Sequence, residues 1–379
     1  MRNVFLYSSA LLFFSLPYHT AVKYIAMVLV FLSGVFIIIK EKSFKMDLLN
    51  LILLGFGIET LISGVLHTGE LKKFLYIEKD LWIIISGFIL YRSISLTKDE
   101  IIKFVIIPLI VSSIVLFFCG LYKYYILHDY YKYHLFTNVN RSAIYAVLTL
   151  SFILPFIDII KEYKIKSIFI IGIIFILITL MFLASRNAMI TMIIILMLYF
   201  IYFSKAGLKF KLILMFIGVI SFIFIYFNYG WLVFKIHMLT HLPYRWDIWK
   251  AGIDSYIESG NYLLGIGTNN FRSIDLTPYI SNWQTHIGSG HNLFIEILVE
   301  NGILGLGLYL TFLILIIMKL KNCKNKNDVF FKTAVLLVVT HLLTSMTETS
   351  LMKEHGFLFL AFVGMSIRGI EKDKEKCLT

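Results

Sequence analysis

Uncharged apolar runs about as long as a lipid bilayer is thick recur along this chain. No charged side chain occurs from Ser167 through Ser185, from Asn187 through Ser204, or from Asn301 through Met318. A hydrocarbon core about 30 Å thick asks for roughly 20 such residues per helix. Inside it every backbone N–H and C=O must find its partner within the protein, which leaves helices and closed barrels. Barrel strands alternate polar and apolar residues, so continuous apolar runs select helices. The sequence therefore predicts an all-α polytopic membrane protein. By length, about twelve spans fit, at 4–18, 22–39, 47–66, 74–91, 101–121, 141–160, 167–184, 187–203, 210–228, 293–318, 329–350 and 355–370. The penultimate span is also compatible with two half-helices. The first run, Val4 to Leu16, has the length of a signal-peptide core. A second run follows at once without a small-residue cleavage site, so the first is expected to remain as a helix.

The balance of residues agrees: 59% are hydrophobic and 15% charged, against roughly 45–50% apolar in soluble domains. A net charge of +12 raises the question of nucleic acid, but the cations sit in short loops beside apolar runs. Lys40, Lys42 and Lys45 follow the second span; Arg92, Lys98 and Lys103 follow the fourth. Lys161, Lys164 and Lys166 come next, then Lys205, Lys209 and Lys211, then Lys319, Lys321, Lys324 and Lys326. The tail adds Arg368, Lys372, Lys374 and Lys376. These loops alternate with poorer ones, so the positive-inside rule puts them, and both termini, in the cytoplasm. Nucleic acid is not an expected partner; the bilayer is.

The opposite face carries Tyr122–Asn140, a tight turn at Ser185–Arg186, and the long segment from Tyr229 to Gly290. The chain thus divides into a bundle of about nine helices over 1–228, a large outer loop over 229–290, and C-terminal helices with a short tail over 291–379. Loops beyond about 15 residues are usually functional or disordered. This one holds Trp231, Trp246, Trp249 and Trp283, with amphipathic spacing through Tyr244–Tyr256, so short helices against the outer surface are expected. Of the three cysteines, Cys119, Cys323 and Cys377, none lies in the loop, and no disulfide framework supports it.

Four arginines reach the outer face: Arg141, Arg186, Arg245 and Arg272. Arg186 stands in Ala184–Ser185–Arg186–Asn187 between two apolar spans. It is either a snorkelling interfacial cation or an anion clamp, because guanidinium presents a planar fork to phosphate oxygens. Arg245 opens Arg245–Trp246–Asp247–Ile248–Trp249–Lys250, which taken alone reads as an interfacial helix with tryptophan anchors. The Leu264–Gly265–Ile266–Gly267–Thr268 turn is weak grounds for a phosphate cradle, since glycines also simply turn the chain. His291 lies where a helix is expected to enter the membrane. It is a helix-end residue or a general base whose ordinary pKa near 6.5 suits neutral pH. Glu296 and Glu300 share a helical face four residues apart and either orient His291 or pair with buried partners. His237, His241, His286 and His291 form no compact ligand motif, so neither a metal nor another cofactor is expected.

Together these residues resemble the O-antigen ligase family within the O-antigen ligase and polymerase superfamily. The likeness lies in the serine–arginine turn at Ser185–Arg186, the segment Arg245–Trp246–Asp247–Ile248–Trp249, and the Gly265–Ile266–Gly267 turn. It continues through His291–Asn292 and Glu300–Asn301–Gly302–Ile303–Leu304–Gly305, with Phe136–Thr137–Asn138–Val139–Asn140–Arg141 as the earlier asparagine-rich turn. The resemblance implies a membrane glycosyltransferase (GT-C-like) architecture in the bacterial inner membrane, its site facing the periplasm. It implies metal-independent, inverting transfer of a glycan from undecaprenyl diphosphate to lipid A–core in lipopolysaccharide biosynthesis. Carried over position by position, Arg186 and Arg245 hold the diphosphate and His291 is the base; Arg141, Arg272, Asn292, Glu296 and Glu300 complete the substrate-binding set. The polymerase branch, which joins carrier-linked repeat units, is the alternative. A secondary transporter, with Glu59 as its main intramembrane acid and Glu348 nearer the outer end, is the alternative from another class.

Overall fold

A computed structural model describes residues 1–18, 20–44, 46–68, 71–126, 139–183, 185–204, 241–280, 289–349, 351 and 353–376. The expected span at 210–228, together with Phe136–Asn138, Trp231, His237, Trp283, His286 and Cys377, lies outside them. Among the described residues every regular element is a helix. They are α1 (Arg2–Ser15), α2 (Thr20–Glu41), α3 (Leu48–Thr68), α4 (Leu71–Ser93), α5 (Lys98–Ile101), α6 (Ile107–Tyr125), α7 (Val139–Ile153), α8 (Tyr163–Leu183) and α9 (Arg186–Leu198). Then come α10 (His241–Ser259), α11 (Leu293–Lys321), α12 (Val329–Ser345) and α13 (Lys353–Lys376). Among the described residues, seven stretches are long and apolar enough to cross a membrane: Ala21–Glu41, Leu48–His67, Lys98–Tyr122, Val139–Ile159, Tyr163–Leu183, Arg186–Phe203 and Leu293–Lys321.

Irregularities in the helices have identifiable causes. Pro108 has no N–H to offer and crowds the carbonyl four residues back. The chain widens into a π turn at Ile102–Ile106 just before it, which joins α5 to α6. Pro155 likewise converts the end of α7 into a 3-10 turn at Leu154–Ile159. The penultimate span is a single helix, not two halves, and stops at Ser345. The broken helix is α11, where Gly302 takes φ 65° and ψ −165°.

Solvent is lipid on the outside and protein on the inside. α2 carries an outward stripe of Ile25, Leu32, Phe36 and Ile39, each more than 40% exposed. In water such a face invites aggregation; against acyl chains it is the ordinary surface. The last helix is the opposite case, with Phe357 through Val363 all buried, as expected of a helix apolar all round. Buried hydroxyls in the bundle return to their own helix: Thr149 donates to the Tyr145 carbonyl (2.8 Å), Ser151 to Val147 (2.9 Å) and Ser366 to Phe362 (2.8 Å).

A second, smaller apolar cluster sits apart from this core. Ile248 and Ala251 of α10, Phe271, Leu276 and Ile280 of the following segment, and Val299 of α11 form it. Tyr279 donates to Asp254 (2.9 Å), tying that segment back to α10. The expected amphipathic helix in the outer loop is therefore present, and its inner face covers the first part of α11.

Candidate functional site

The site is organised by the short turn that follows α12. The apolar run of α12 ends in Met346–Thr347–Glu348–Thr349, and the Glu348 N–H closes the turn on the Thr344 carbonyl (3.0 Å). Three helices begin around this turn, and an asparagine near the start of each reaches it. Asn140 of α7 donates to Glu348 Oε1 (2.5 Å), Asn187 of α9 to the Thr344 carbonyl (3.4 Å), and Asn292, which caps α11, to the Met346 carbonyl (3.2 Å). Helix N-termini carry partial positive charge, so their convergence favours an anion. Ser185 makes no side-chain cap on α9, leaving its first N–H groups free of that partner.

Two of the sequence-predicted residues meet on Glu348. Arg245 Nη2 lies 3.3 Å from Oε1, and His291 Nδ1 lies 3.3 Å from Oε2. Both side chains keep 29% of their surface exposed, so they face an accessible space while bound at one edge. A carboxylate accepts, so in the neutral ring Nδ1 of His291 carries the hydrogen and Nε2 presents its lone pair.

His291 adopts φ 50°, the left-handed region, which costs an L-residue about 1–2 kcal/mol and which histidine visits more often than most. Its neighbours hold it there. The Gly290 carbonyl accepts from Trp249 Nε1 (2.9 Å), the Gly290 N–H donates to Glu296 Oε2 (2.6 Å), and Asn292 Oδ1 accepts from the N–H groups of Phe294 (3.0 Å) and Ile295 (3.2 Å). Trp249 stands one helical turn from Arg245, so one helix places the guanidinium and pins the histidine loop.

Arg141 follows Asn140 at the start of α7, and its charge acts on buried His355 of α13, whose Nε2 lies 3.1 Å from the Thr349 carbonyl. Arg186 is exposed at the first position of α9, next to Asn187. Both arginines thus belong to the same end of the bundle as Glu348. Arg272 is exposed in the 3-10 turn Phe271–Ser273 and has no ion pair among the described residues. Glu296 and Glu300 are buried and bound elsewhere. Glu296 accepts from Thr349 (2.7 Å) as well as Gly290, and Glu300 Oε1 accepts from the Phe271 N–H (2.9 Å). They brace the loop against α11, and Glu296 reaches the turn of Glu348 through Thr349.

The glycine turn has a structural task. Breaking α11 at Gly302 frees carbonyls on one side and N–H groups on the other. Each would cost about 1–3 kcal/mol if buried without a partner. Residues 262–267 supply those partners. The N–H groups of Ile266 and Gly267 donate to the carbonyls of Val299 (2.9 Å) and Glu300 (3.0 Å), while the N–H groups of Ile303 and Leu304 donate to those of Tyr262 (3.0 Å) and Leu263 (3.2 Å). Two strands of backbone approach so closely that a Cβ at Gly265 would collide with the Val299 and Glu300 carbonyls, and one at Gly302 with Leu263. Both glycines also have positive φ.

The sequence reading missed the central acid. Glu348 was placed toward the outer end without a role in the site, yet its two oxygens collect Arg245, His291 and Asn140. The polar run Met346–Thr349 at the end of an apolar helix was the available signal.

A polytopic helical membrane protein with a cationic, partly open site at one end of the bundle is the class these features define. A sequence model of the family described as O-antigen ligase matches residues 171–310, from α8 through the kink of α11. Over this stretch, well under half of the chain, the protein is similar to that family. No curated protein matches the chain.

Proposed function

We propose that this protein is an O-antigen ligase of the bacterial inner membrane. It moves a glycan from undecaprenyl diphosphate to a hydroxyl of lipid A–core on the periplasmic face, with the lysine-rich loops and both termini in the cytoplasm. The twelve-span count and the membrane glycosyltransferase architecture belong to this reading. The observation that carries it is the convergence of Arg245 and His291, both inside the stretch matched by the family, on Glu348 beyond it.

In the reaction the acceptor oxygen attacks the anomeric carbon, its proton passes to Nε2 of His291, and the bond from that carbon to the diphosphate oxygen breaks. Attack opposite the leaving group inverts the anomeric centre. Negative charge grows on the diphosphate, and Arg245 with Arg186 stabilises it, aided by the N-termini of α7, α9 and α11. Fixed donors beside low-dielectric lipid act more strongly there than in water, so no metal is required. Glu348 holds the imidazole in the proton-accepting tautomer and stabilises the imidazolium that forms. Arg141 and Asn292 line the same mouth. Glu296 and Glu300 act by holding the loop, and Arg272 is the most peripheral member of the set.

A deletion strain separates ligase from polymerase. A ligase leaves polymer on the carrier and none on lipid A–core, whereas loss of a polymerase leaves single repeats on lipid A–core. Purified protein must transfer glycan from a lipid diphosphate in the presence of chelator; transfer abolished by chelator and restored by metal contradicts the mechanism.

A further inference from the structure

The turn that heals α11 lies deep, and two helices measure how deep. Asp47, whose carbonyl takes the first helical hydrogen bond of α3 from Leu51, pairs with Lys319 of α11 at 3.3 Å, so the two helices share a level at the lysine-rich end. Sixteen residues along α3 stands Ser63, and sixteen residues back along α11 stands Ile303. Both rises are about 24 Å at 1.5 Å per residue. At that level the Ser63 hydroxyl meets the carbonyls of Leu264 (2.8 Å) and Glu300 (3.1 Å), and the Ile303 N–H meets Tyr262. Thr268 goes deeper still, donating to the Thr60 carbonyl (2.9 Å) and accepting from Asn301 (2.7 Å).

A charged pair such as Asp47–Lys319 belongs at the membrane boundary, and the hydrocarbon beyond it extends about 30 Å. The turn at 24 Å therefore lies about 6 Å inside the far boundary, and tilt of the helices brings it deeper. The side chains agree with that level. Leu263 is 60% and Tyr262 50% exposed, beside Ile303 at 61%. Ile303 heads the outward stripe of α11 that continues through Leu310, Ile314 and Ile317.

We propose that residues Tyr262–Thr268 form a re-entrant turn, immersed in the leaflet on the site side, whose Tyr262 and Leu263 side chains are covered by phospholipid acyl chains. Irregular backbone is tolerated at that depth because it is paired with α11 and α3 rather than with lipid. The loop is then fastened below the surface it spans, which fixes the height of α10 and Arg245 relative to the lipid head groups. This holds whatever substrate the site takes.

Spin labels at Leu263→Cys and Ile303→Cys, in protein lacking the three native cysteines and reconstituted in phospholipid nanodiscs, test it. Ile314→Cys reports acyl chains and exposed Ser273→Cys reports water. Labels at 263 and 303 should match 314, relaxed by oxygen and shielded from a water-soluble nickel complex. Accessibility to nickel like that of 273 overturns the proposal. So does shielding from both agents with label-to-label coupling, which would mean that a second copy of the chain covers the turn.

Discussion

The two ends of the bundle each gather charge, and they do so differently. At the lysine-rich end Arg92 and Lys319 meet Asp47 and Glu371: Arg92 is hydrogen-bonded to Asp47 and lies 2.9 Å from Glu371, and Lys319 reaches both acids, at 3.3 Å and 2.8 Å. Two cations face two carboxylates, and Arg92 is only 5% exposed. At the other end Arg245 and His291 share the single carboxylate of Glu348, with Arg141 and Arg186 nearby. Two further acids there are already bound, Glu354 by Lys23 (2.5 Å) and Glu296 by Thr349 and the Gly290 N–H. A balanced, buried cluster fastens helices. A cation-rich, partly open one is arranged for an anion that arrives from outside.

Substitutions at the open end should cost activity and leave the fold. Arg245→Ala is expected to lower glycan transfer by about 10²–10³-fold, as removal of a transition-state donor does. His291→Ala should cost about 10²–10⁴-fold. Both are read in purified protein with unchanged thermal unfolding. Glu348→Gln keeps an acceptor but removes the charge, and a charge-assisted bond contributes about 1.5–3 kcal/mol. Transfer should fall roughly 10–100-fold, with the acidic limb of the pH–rate profile displaced. A Glu348→Gln enzyme that keeps full activity and an unchanged profile removes Glu348 from the site.

At the closed end the expected effect is the reverse. Arg92→Ala leaves Lys319 alone with two carboxylates and should destabilise by up to about 3–5 kcal/mol, lowering the unfolding temperature while specific activity of the folded fraction stays near wild type. Acid provides a second handle. Burial pushes the Asp47 carboxyl up, but the Arg92 hydrogen bond and charge outweigh it and hold it well below the usual range. Glu371 is likewise lowered, burial being overcome by Arg92 and Lys319. Depressed carboxyl pKa values stabilise the fold above the ordinary carboxylate range and lose that contribution as pH falls through it. Wild type should therefore lose more stability between about pH 5 and 3 than Arg92→Ala does, in thermal unfolding across pH. The smallest effect belongs to Arg272→Ala, at an exposed position away from the Glu348 turn; transfer should change less than about twofold, within the range of ordinary surface substitutions.

Much of this was legible in the sequence because lipid imposes a simple rule on length and polarity. The helices at 22–39, 47–66 and 167–184 fall where apolar runs placed them. Arg245 and His291 were legible as a polar pair in an apolar protein, though not their meeting on Glu348, since residues 103 and 57 positions away leave no local pattern. The sequence left room for a broken helix in the penultimate span, whereas the break falls in α11. Gly302 reads as one more small residue in a span until its partner, the Tyr262–Gly267 turn, is seen to accept and donate its freed backbone bonds. Glu296 and Glu300 share a face as their spacing implies, yet that face meets loop N–H groups, a consequence of tertiary docking alone.

The contrast between the two ends is tested most directly by binding. Affinity for a polyprenyl diphosphate, measured in nanodiscs on wild type, Arg245→Ala and Arg92→Ala, should drop roughly 10–100-fold for Arg245→Ala, the share expected of one charge-assisted contact, and hold for folded Arg92→Ala. Equal affinity in all three, or a loss confined to Arg92→Ala, contradicts an anion site at Glu348, Arg245 and His291.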